Sequence, residues 1–289
     1  MAELSKKELT ALINLLDDPD DNIFGTVKSK LLDMGEKVIP VLESAWETSF
    51  NPLLQTRIEN IIHRIQFERV IDVLKAWKKK RSHDLWEGAM LIARYQYPDL
   101  NEEKLLKQLQ IIRQDVWLEL NENLTALEKV KVINHILFDV HRFGGNTENY
   151  HAPENSFLNK VIENKKGNPL TLSIIYLLIA NQLSLPISGI NLPEHFVLAY
   201  TDEYAAPEIQ GEERLLFYIN PFSKGAVFSK KEIDMFLKQL NIAPEKSYYT
   251  PCTNVHIVQR LVRNLISAYT RSGNSEKVEE LEEVLKILE

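Results

Sequence analysis

Cysteine is nearly absent from this sequence of 289 residues, in which Cys252 is the single thiol. One cysteine forms no disulfide within the chain and builds no thiolate cluster around a metal. The seven histidines are scattered along the chain, without the two-ligand spacing that zinc sites on helices use. The sequence therefore predicts neither a disulfide nor a bound metal.

Glycine-rich phosphate loops and a surplus of positive charge are also missing. None of the ten glycines falls in a dinucleotide-binding or Walker pattern, so we expect no nucleotide cofactor, and no cofactor of any other kind is indicated. Lysine and arginine together number 34 against 41 acidic residues, a formal net charge of -7. The one basic run, residues 78–81, fits a solvated helix end. A nucleic-acid partner is therefore not expected.

Long apolar runs are absent too. No stretch of about 18 uncharged apolar residues occurs in the chain, and the first ten residues, MAELSKKELT, contain no apolar segment of the signal-peptide kind. The hydrophobic content of 44% and the charged content of 26% are ordinary for a globular protein. We therefore expect a folded protein of the cytoplasm that does not contact a membrane.

The first 115 residues have apolar side chains at helical spacing. Breakers at residues 17–21, at Gly35 and at Asn51-Pro52 divide this region into short helices suited to antiparallel packing. The unit LLDDPDDNIFGTVKSKLLDMGEKVIPVLESAW resembles a HEAT-type repeat. Residues 1–115 are thus predicted to be a helical-repeat domain, either a concave binding surface or a structural buttress.

Residues 116–250 and 251–289 have different patterns. The middle segment predicts helices at 127–143 and 170–182, followed by strands at 187–192, 196–200 and 215–219, which indicates an α+β core. The final segment predicts two amphipathic helices around residues 272–274, a hairpin resembling one tetratricopeptide unit. A single hairpin does not bury its own apolar face, so we expect it to pack on the core.

The order of elements in the core is that of a thiol acyl-transfer site. Such a site needs a nucleophile at a helix start, a histidine on a neighbouring strand to accept its proton, and a polar group on the next strand to orient the imidazole. Here a helix begins in KKGNPLTLSIIYLLIA, His195 follows in LPEHFVLAY, and Asn220 ends RLLFYINPF. The spacing fits, but the helix start contains no cysteine.

The segment FGGNTENYHAPENSFLNKVIENKKGNPLTLSIIYLLIANQLSLPISGINLPEHFVLAY resembles the transglutaminase-like family of SirB type, and the tail of residues 257–289 resembles the tetratricopeptide-like segment that follows in it. This resemblance implies a transglutaminase-like (papain-like) α+β core in a predominantly helical α+β chain. It puts the family's cysteine at or next to Pro169, its catalytic histidine at His195, and Asn220 where active relatives usually carry aspartate. Because proline is not a nucleophile, the resemblance implies a vestigial site.

Other residues near the helix start offer poor replacements for the thiol. Thr171 and Ser173 lie two and four positions beyond Pro169, and a spacing of two residues turns Thr171 to another helix face. Thr171 is expected to bond local backbone, and Ser173 to pack as a small residue. Cys252 comes after the predicted strands and would reach His195 only if its loop folded back. We expect it to be inert.

The polar loop that precedes the helix is a candidate ligand-binding segment. In GGNTENYHAPENS we expect Asn155 or Ser156 to satisfy loop backbone and to cap a following helix. The exposed amides of the later helix start, with the polar side chains around them, favour a carboxylate or carbonyl group of a peptide. The predicted ligand-binding residues are Tyr150, His151, Asn168, Thr171 and His195.

Three functions follow from this arrangement. The favoured one is a non-catalytic module, a pseudoenzyme, that holds a protein or peptide partner. The second is a hydrolase or acyl transferase that uses His195 with an unusual nucleophile or an activated water. The third is a purely structural subunit. We expect an exposed apolar groove for the first, an open polar pocket with His195 accessible for the second, and a filled cleft for the third. The sequence sets no oligomeric state.

Overall fold

The computed structural model of the chain describes residues 6–203, 205 and 211–289. It divides into two compact units, Met1–Val73 and Leu74–Glu289. The division falls inside one long helix, and each unit has its own hydrophobic core. The three sequence segments predicted above, with boundaries near residues 115 and 250, stay a prediction.

The first unit is built from helices. They are α1 (Lys6–Asn14), α2 (Asp21–Met34), α3 (Ile39–Thr48) and α4 (Pro52–Lys80), of which α4 continues past Val73 into the second unit. The side chain of Asp20 caps α2 by accepting from the Asn22 amide, and Gly35 ends that helix with φ of 60°. The apolar residues predicted from helical spacing do form the core, with Leu16, Leu31 and Leu42 fully buried.

The second unit mixes helices with two small sheets. Its helices are α5 (Leu85–Gln96), α6 (Glu102–Glu119), α7 (Ala126–Asn134), α8 (Leu158–Asn164), α9 (Pro169–Gln182), α10 (Lys230–Gln239), α11 (Asn254–Ser272) and α12 (Ser275–Leu288). Its strands are β1 (Gly144–Gly145), β2 (Lys166–Gly167), β3 (Ile187–Leu192), β4 (His195–Thr201), β5 (Leu215–Asn220) and β6 (Ala226–Phe228). The predicted class, a predominantly helical α+β protein, is confirmed.

The larger sheet is antiparallel throughout, in the order β3-β4-β5-β6. Helix α10 covers one face, where Val197 and Ala199 pack with Ile233 and Leu237, and α9 packs against β3 and β4. Because both faces are covered, residues 196–200 of β4 are all buried rather than alternately exposed. The strands predicted at 187–192, 196–200 and 215–219 are present, whereas β1, β2 and β6 were not predicted.

Helix α9 is the centre of this unit. Its residues from Pro169 to Ala180 are all buried, so it has no polar face and its sequence is a continuous apolar run. It ends at Gln182, and Leu185 and Ile187 lead directly into β3. The start of α9 therefore lies where the sheet, the preceding loop and the helices packed around it meet.

The two-residue strands β1 and β2 close the polar loop that precedes α9. They pair in parallel, with Gly144 opposite Lys166 and Gly145 opposite Gly167. A Cβ atom on Gly145 would lie 2.4 Å from a ring carbon of Phe222, so only glycine allows the loop to approach so closely. The pairing holds both ends of the loop beside the first turn of α9.

The last two helices pack on the rest of this unit. Helix α11 contacts α5, α9 and the short 3₁₀ turn Pro153–Ser156, and it contacts α12 along its length. Gly273, with φ of 75°, ends α11 in the left-handed conformation, and α12 begins two residues later. The predicted pair of helices around residues 272–274 is present. Among the described residues, no helix is both long and apolar enough to cross a membrane.

The contact between α5 and α11 gives a test of this packing. A Cβ atom on Gly88 would lie 2.5 Å from a Trp77 ring carbon and 2.9 Å from a Val258 methyl. Alanine favours a helix over glycine by about 1 kcal/mol, yet overpacking a core costs about 1–3 kcal/mol, and contacts this short put the cost in the upper part of that range. We therefore expect Gly88→Ala to lower the free energy of unfolding by roughly 1–2 kcal/mol in urea titrations followed by circular dichroism.

The matched control is Gly144→Ala in the same unit. The nearest atom to a Cβ there is Lys166 Nζ at 3.8 Å, an ordinary van der Waals contact, so stability should change by less than about 0.5 kcal/mol. Equal stability of the Gly88→Ala variant and the wild type would contradict the close approach of α5 to α11.

Candidate functional site

The first turn of α9 begins at Pro169, with Asn168 as its N-cap. The Thr171 amide donates to Asn168 Oδ1 at 3.0 Å, and the Asn168 amide donates to Thr171 Oγ1 at 3.1 Å. Four amides at a helix start lack partners within the helix. The cap bonds two of them and Pro169 has no N–H, which leaves the Leu170 amide. The helix start thus offers one amide to a ligand, fewer than the sequence led us to expect.

An open cleft of about 390 Å³ lies over this helix start. Four pieces of the second unit form its walls: the loop before α9, the start of α9, the turn between β3 and β4 with the beginning of β4, and one face of α11. The residues that line it include Tyr150, His151, Asn168, Pro169, His195, Arg260 and Arg271. The lining is more polar than apolar.

His195 is the first residue of β4, opposite Leu192 in the hairpin. Burial lowers the pKa of its imidazole below the ordinary value of 6.5, a hydrogen bond with Asn220 opposes that shift, and the positive charge of Arg260 adds to it. The ring centroid lies 6.2 Å from that of Phe236 on α10. At neutral pH the imidazole is therefore uncharged and able to accept a proton.

Asn220 ends β5, beside the strand that begins with His195. Its Oδ1 accepts from the Phe222 amide at 3.1 Å and from the Ser223 amide at 3.4 Å. These bonds fix the Asn220 carboxamide at the end of β5, next to the His195 imidazole. The structure thus brings Pro169, His195 and Asn220 into one site, in the order helix start, strand and next strand that a thiol enzyme uses.

The hydroxyls near the helix start are occupied. Thr171 is fully buried, and its Oγ1 donates to the Asn155 carbonyl oxygen at 2.8 Å. Ser173 is also fully buried, and its Oγ donates to the Pro169 carbonyl oxygen at 2.7 Å. Thr171 therefore holds the loop against the helix, and its side chain is not among those that line the cleft.

Cys252 lies away from the helix start. Its amide donates to the Gly189 carbonyl oxygen on β3 at 2.9 Å, and Gly189 pairs with Leu198. Leu198 is three residues from His195, which corresponds to about 10 Å along the strand. Burial raises the pKa of the Cys252 thiol to about 12, so the thiol is protonated and unreactive at neutral pH.

The polar loop before α9 folds around its own side chains. Asn155 Oδ1 accepts from the Asn146 amide group at 2.9 Å, and Asn155 Nδ2 donates to the carbonyl oxygens of Asn149 and Tyr150. Ser156 Oγ accepts from Asn168 Nδ2 at 2.9 Å. The prediction that Asn155 or Ser156 caps the next helix was wrong. Helix α8 has Phe157 at its N-cap and no side-chain cap, because both polar groups are used inside the loop.

Tyr150 and His151 stand at the rim of the cleft. The Tyr150 ring meets His151 edge-on at 5.1 Å and Phe222 edge-on at 5.8 Å between centroids. The Nε2 atom of His151 lies 3.4 Å from Arg271 Nη1. These two residues, together with Asn168 and His195, line the cleft; their role in binding stays a prediction.

One wall of the cleft was missed by the sequence interpretation. Helix α11 presents Arg260, Asn264, Ser267 and Arg271 to the cleft. Their spacing of four, three and four residues puts them on one helix face. These four polar residues are visible in the sequence as a stripe along the helix, but from the sequence we expect only that the helix packs on the core. Among the described residues, no group of three or more His, Cys, Asp or Glu side chains is arranged to hold a metal ion.

A helix start, a strand histidine and an amide on the next strand around one cleft are the framework of a transglutaminase-like thiol enzyme. The family model described as the Transglutaminase-like superfamily matches residues 103–263, more than half of the chain. The chain belongs to this superfamily. The matched region contains Pro169, His195, Asn220 and Arg260, but not Arg271.

Two kinds of curated relatives are similar to the chain. A UPF0162 protein of Xylella fastidiosa (strain 9a5c) is 28% identical over 197 residues, covering 65% of this chain and 66% of the relative. F-box only protein 21 of Homo sapiens is 28% identical over 155 residues, covering 54% of this chain and 24% of that protein. The chain thus spans slightly less than two thirds of the bacterial relative and about a quarter of the human one. No solved structure matches the chain.

The charge of Arg260 gives a test of the electrostatics around His195. Because Arg260 lowers the pKa of His195, Arg260→Gln should raise that pKa, measured by NMR titration of the imidazole C–H signals. Arg263→Gln removes the same charge from the exposed side of α11, where Arg263 pairs with Glu289, and should leave His195 nearly unchanged. Equal shifts in both variants would contradict the proximity of Arg260 to the imidazole.

The position of Pro169 at the start of α9 gives a second test. In Pro169→Cys the new thiol would start α9 beside His195, so its pKa should fall below the value of about 8.5 for free cysteine. The measurement is the rate of alkylation by iodoacetamide as a function of pH, with His195→Gln in the same variant expected to raise the pKa. The wild type is the control, since Cys252, with its pKa near 12, should hardly react at pH 8. If the thiol titrates near 8.5 both with and without His195, residues 169 and 195 do not share one site.

Proposed function

We propose that this chain is a non-catalytic transglutaminase-like protein that binds a peptide segment of a protein partner in the cleft over α9. The observation that carries the proposal is the start of α9 itself. Pro169 supplies neither a nucleophile nor an N–H at the position where a thiol enzyme of this framework needs its cysteine. The cleft around it is nevertheless open.

The chemistry of the surrounding side chains supports a binding role. The hydroxyls of Thr171 and Ser173 are buried and bonded, and Cys252 is held on β3 with its thiol protonated. The proposed contacts are Tyr150, His151, Asn168 and His195, with the polar face of α11. The lining includes Tyr150 and two arginines, side-chain types that are enriched at protein-binding hot spots.

Hydrolysis remains the second candidate, and one observation favours it. An open, mostly polar cleft with His195 in its wall was the arrangement expected of an enzyme. A neutral imidazole held by Asn220 can activate a water. Against this candidate stands the loss at Pro169 of both the nucleophile and a backbone donor for an oxyanion. The third candidate, a purely structural subunit, was expected to have a filled cleft.

We further propose that the chain is of the SirB type, that residues 1–115 form a HEAT-like helical domain, and that residues 251–289, with α11 and α12, form a tetratricopeptide-like hairpin. Helical spacing and short connections support the HEAT-like assignment. The two-residue turn at Gly273 and Asn274 supports the hairpin. The similarity to an F-box only protein supports a protein as partner. A cytoplasmic location stays a prediction from the sequence.

A pool of random pentapeptides tests binding and catalysis together. We expect the full chain to retain a subset of the pool, read by mass spectrometry, and to release no cleaved or amine-coupled products. Ser267→Trp puts a large ring on the exposed α11 face inside the cleft, and retention should fall at least about tenfold. Thr270→Trp, on the same helix outside the cleft lining, is the matched control.

The outcomes separate the candidates. If the wild type cleaves or couples peptides and His195→Gln does not, the chain is an enzyme and the non-catalytic proposal is wrong. Retention that is equal in the wild type and in Ser267→Trp would refute peptide binding in the cleft.

A further inference from the structure

The arginines of α11 are held differently inside and outside the cleft. Arg263, on the exposed side, pairs with Glu289 at 3.3 Å. Arg260, three residues earlier, lines the cleft and is more deeply buried. Over the parts of the chain that the structure describes, no carboxylate lies within ion-pairing distance of the Arg260 guanidinium. A charge that is partly removed from water without a counterion is unfavourable, so this position favours an anion.

The Arg260 guanidinium is fixed by neutral acceptors. Its Nη1 donates to the Leu192 carbonyl oxygen at 3.2 Å and to Asn191 Oδ1 at 3.3 Å, both on β3. Arginine has five N–H donors, and these two bonds use those of Nη1. Nε and Nη2 therefore keep donors in the fork geometry that matches a carboxylate. The bonds to β3 hold the fork in position before any ligand arrives.

A second cation lies on the same wall. Arg271 follows Arg260 by eleven residues, or about 16 Å along the helix axis, and its Nη1 contacts the ring atom His151 Nε2 at 3.4 Å. An extended peptide covers that distance with about five residues. Glu194, in the turn between β3 and β4, is the acidic side chain in the lining. It raises the pKa of Arg260 without contacting it.

From this wall we infer that the cleft selects a peptide bearing a carboxylate, which Arg260 binds and Arg271 attracts. The inference rests on the proposed peptide-binding function and adds the chemical class of the ligand. The carboxylate comes either from the peptide's C-terminus or from an aspartate or glutamate side chain. Both sources present the same two oxygens to the guanidinium. Glu194 weakens binding of either, because it repels the incoming anion.

Two pools of random pentapeptides separate the sources, one with a free C-terminal acid and one with a C-terminal amide. Retention of the acid pool regardless of sequence identifies the C-terminal carboxylate. Enrichment of aspartate or glutamate in the amide pool identifies a side chain. Either result supports the inference if it falls about tenfold or more in Arg260→Gln and remains in Arg263→Gln, the matched control.

Glu194→Gln keeps the inference testable if Arg260→Gln is poorly folded by circular dichroism. Removing the repelling carboxylate should increase retention of the same peptides a few-fold at low salt. Retained peptides without any preference for carboxylates, or retention that is unaffected by both variants, would overturn the inference while leaving peptide binding in place. If the wild type retains no more peptide than Ser267→Trp does, the proposed function is wrong and the inference with it.

Discussion

The side-chain amide of Asn168 is the contact on which the site depends. Its oxygen caps the first turn of α9 through the Thr171 amide, and its nitrogen donates to Ser156 in the preceding loop. Thr171 in turn donates to the Asn155 carbonyl oxygen. All four residues are buried. Because a buried polar group without a partner costs free energy, the loop and the helix start hold each other in one arrangement.

This network holds the start of α9 in place without any contribution from a cysteine side chain. Proline is favoured at the first position of a helix, where its missing N–H leaves no bond unmade. Pro169 therefore suits the first turn of α9 structurally, and its side chain offers no nucleophile. His195 and Asn220 lie on the sheet, and their positions depend on strand pairing rather than on the residue at the helix start. The cleft between them stays open for another use.

The fourth wall of the cleft comes from a helix that follows the sheet in the chain. Helix α11 packs against α5, α9 and the turn before α8, and this packing turns its polar stripe toward the helix start. Arg260 is anchored to β3 by neutral acceptors, which keeps its charge available. The positive charge of the site thus comes mostly from arginine side chains, since the cap and Pro169 leave the α9 start with one free amide.

Much of the core was predictable because burial leaves a local pattern. The continuous apolar run predicts α9, and shorter apolar segments predict β3, β4 and β5. Apolar residues at helical spacing on both sides of Gly35 and of Gly273 predict the helix pairs there. The strands β1 and β2 left no such pattern, since each is two residues long and they contain glycine and lysine. Their pairing leaves Gly145 against Phe222, in a contact that only glycine allows.

The sequence by itself determined the α+β class, the order of helix start, histidine and asparagine, and the absence of a cysteine from that helix start. Only the tertiary structure decided that Asn155 and Ser156 serve the loop rather than cap α8, and that Arg260 and Arg271 face the cleft. The physical reason is the range of the interactions. Apolar periodicity records which face of an element is buried, whereas a polar stripe has the same sequence whether it faces water or a cleft. Its role depends on packing between elements far apart in the chain.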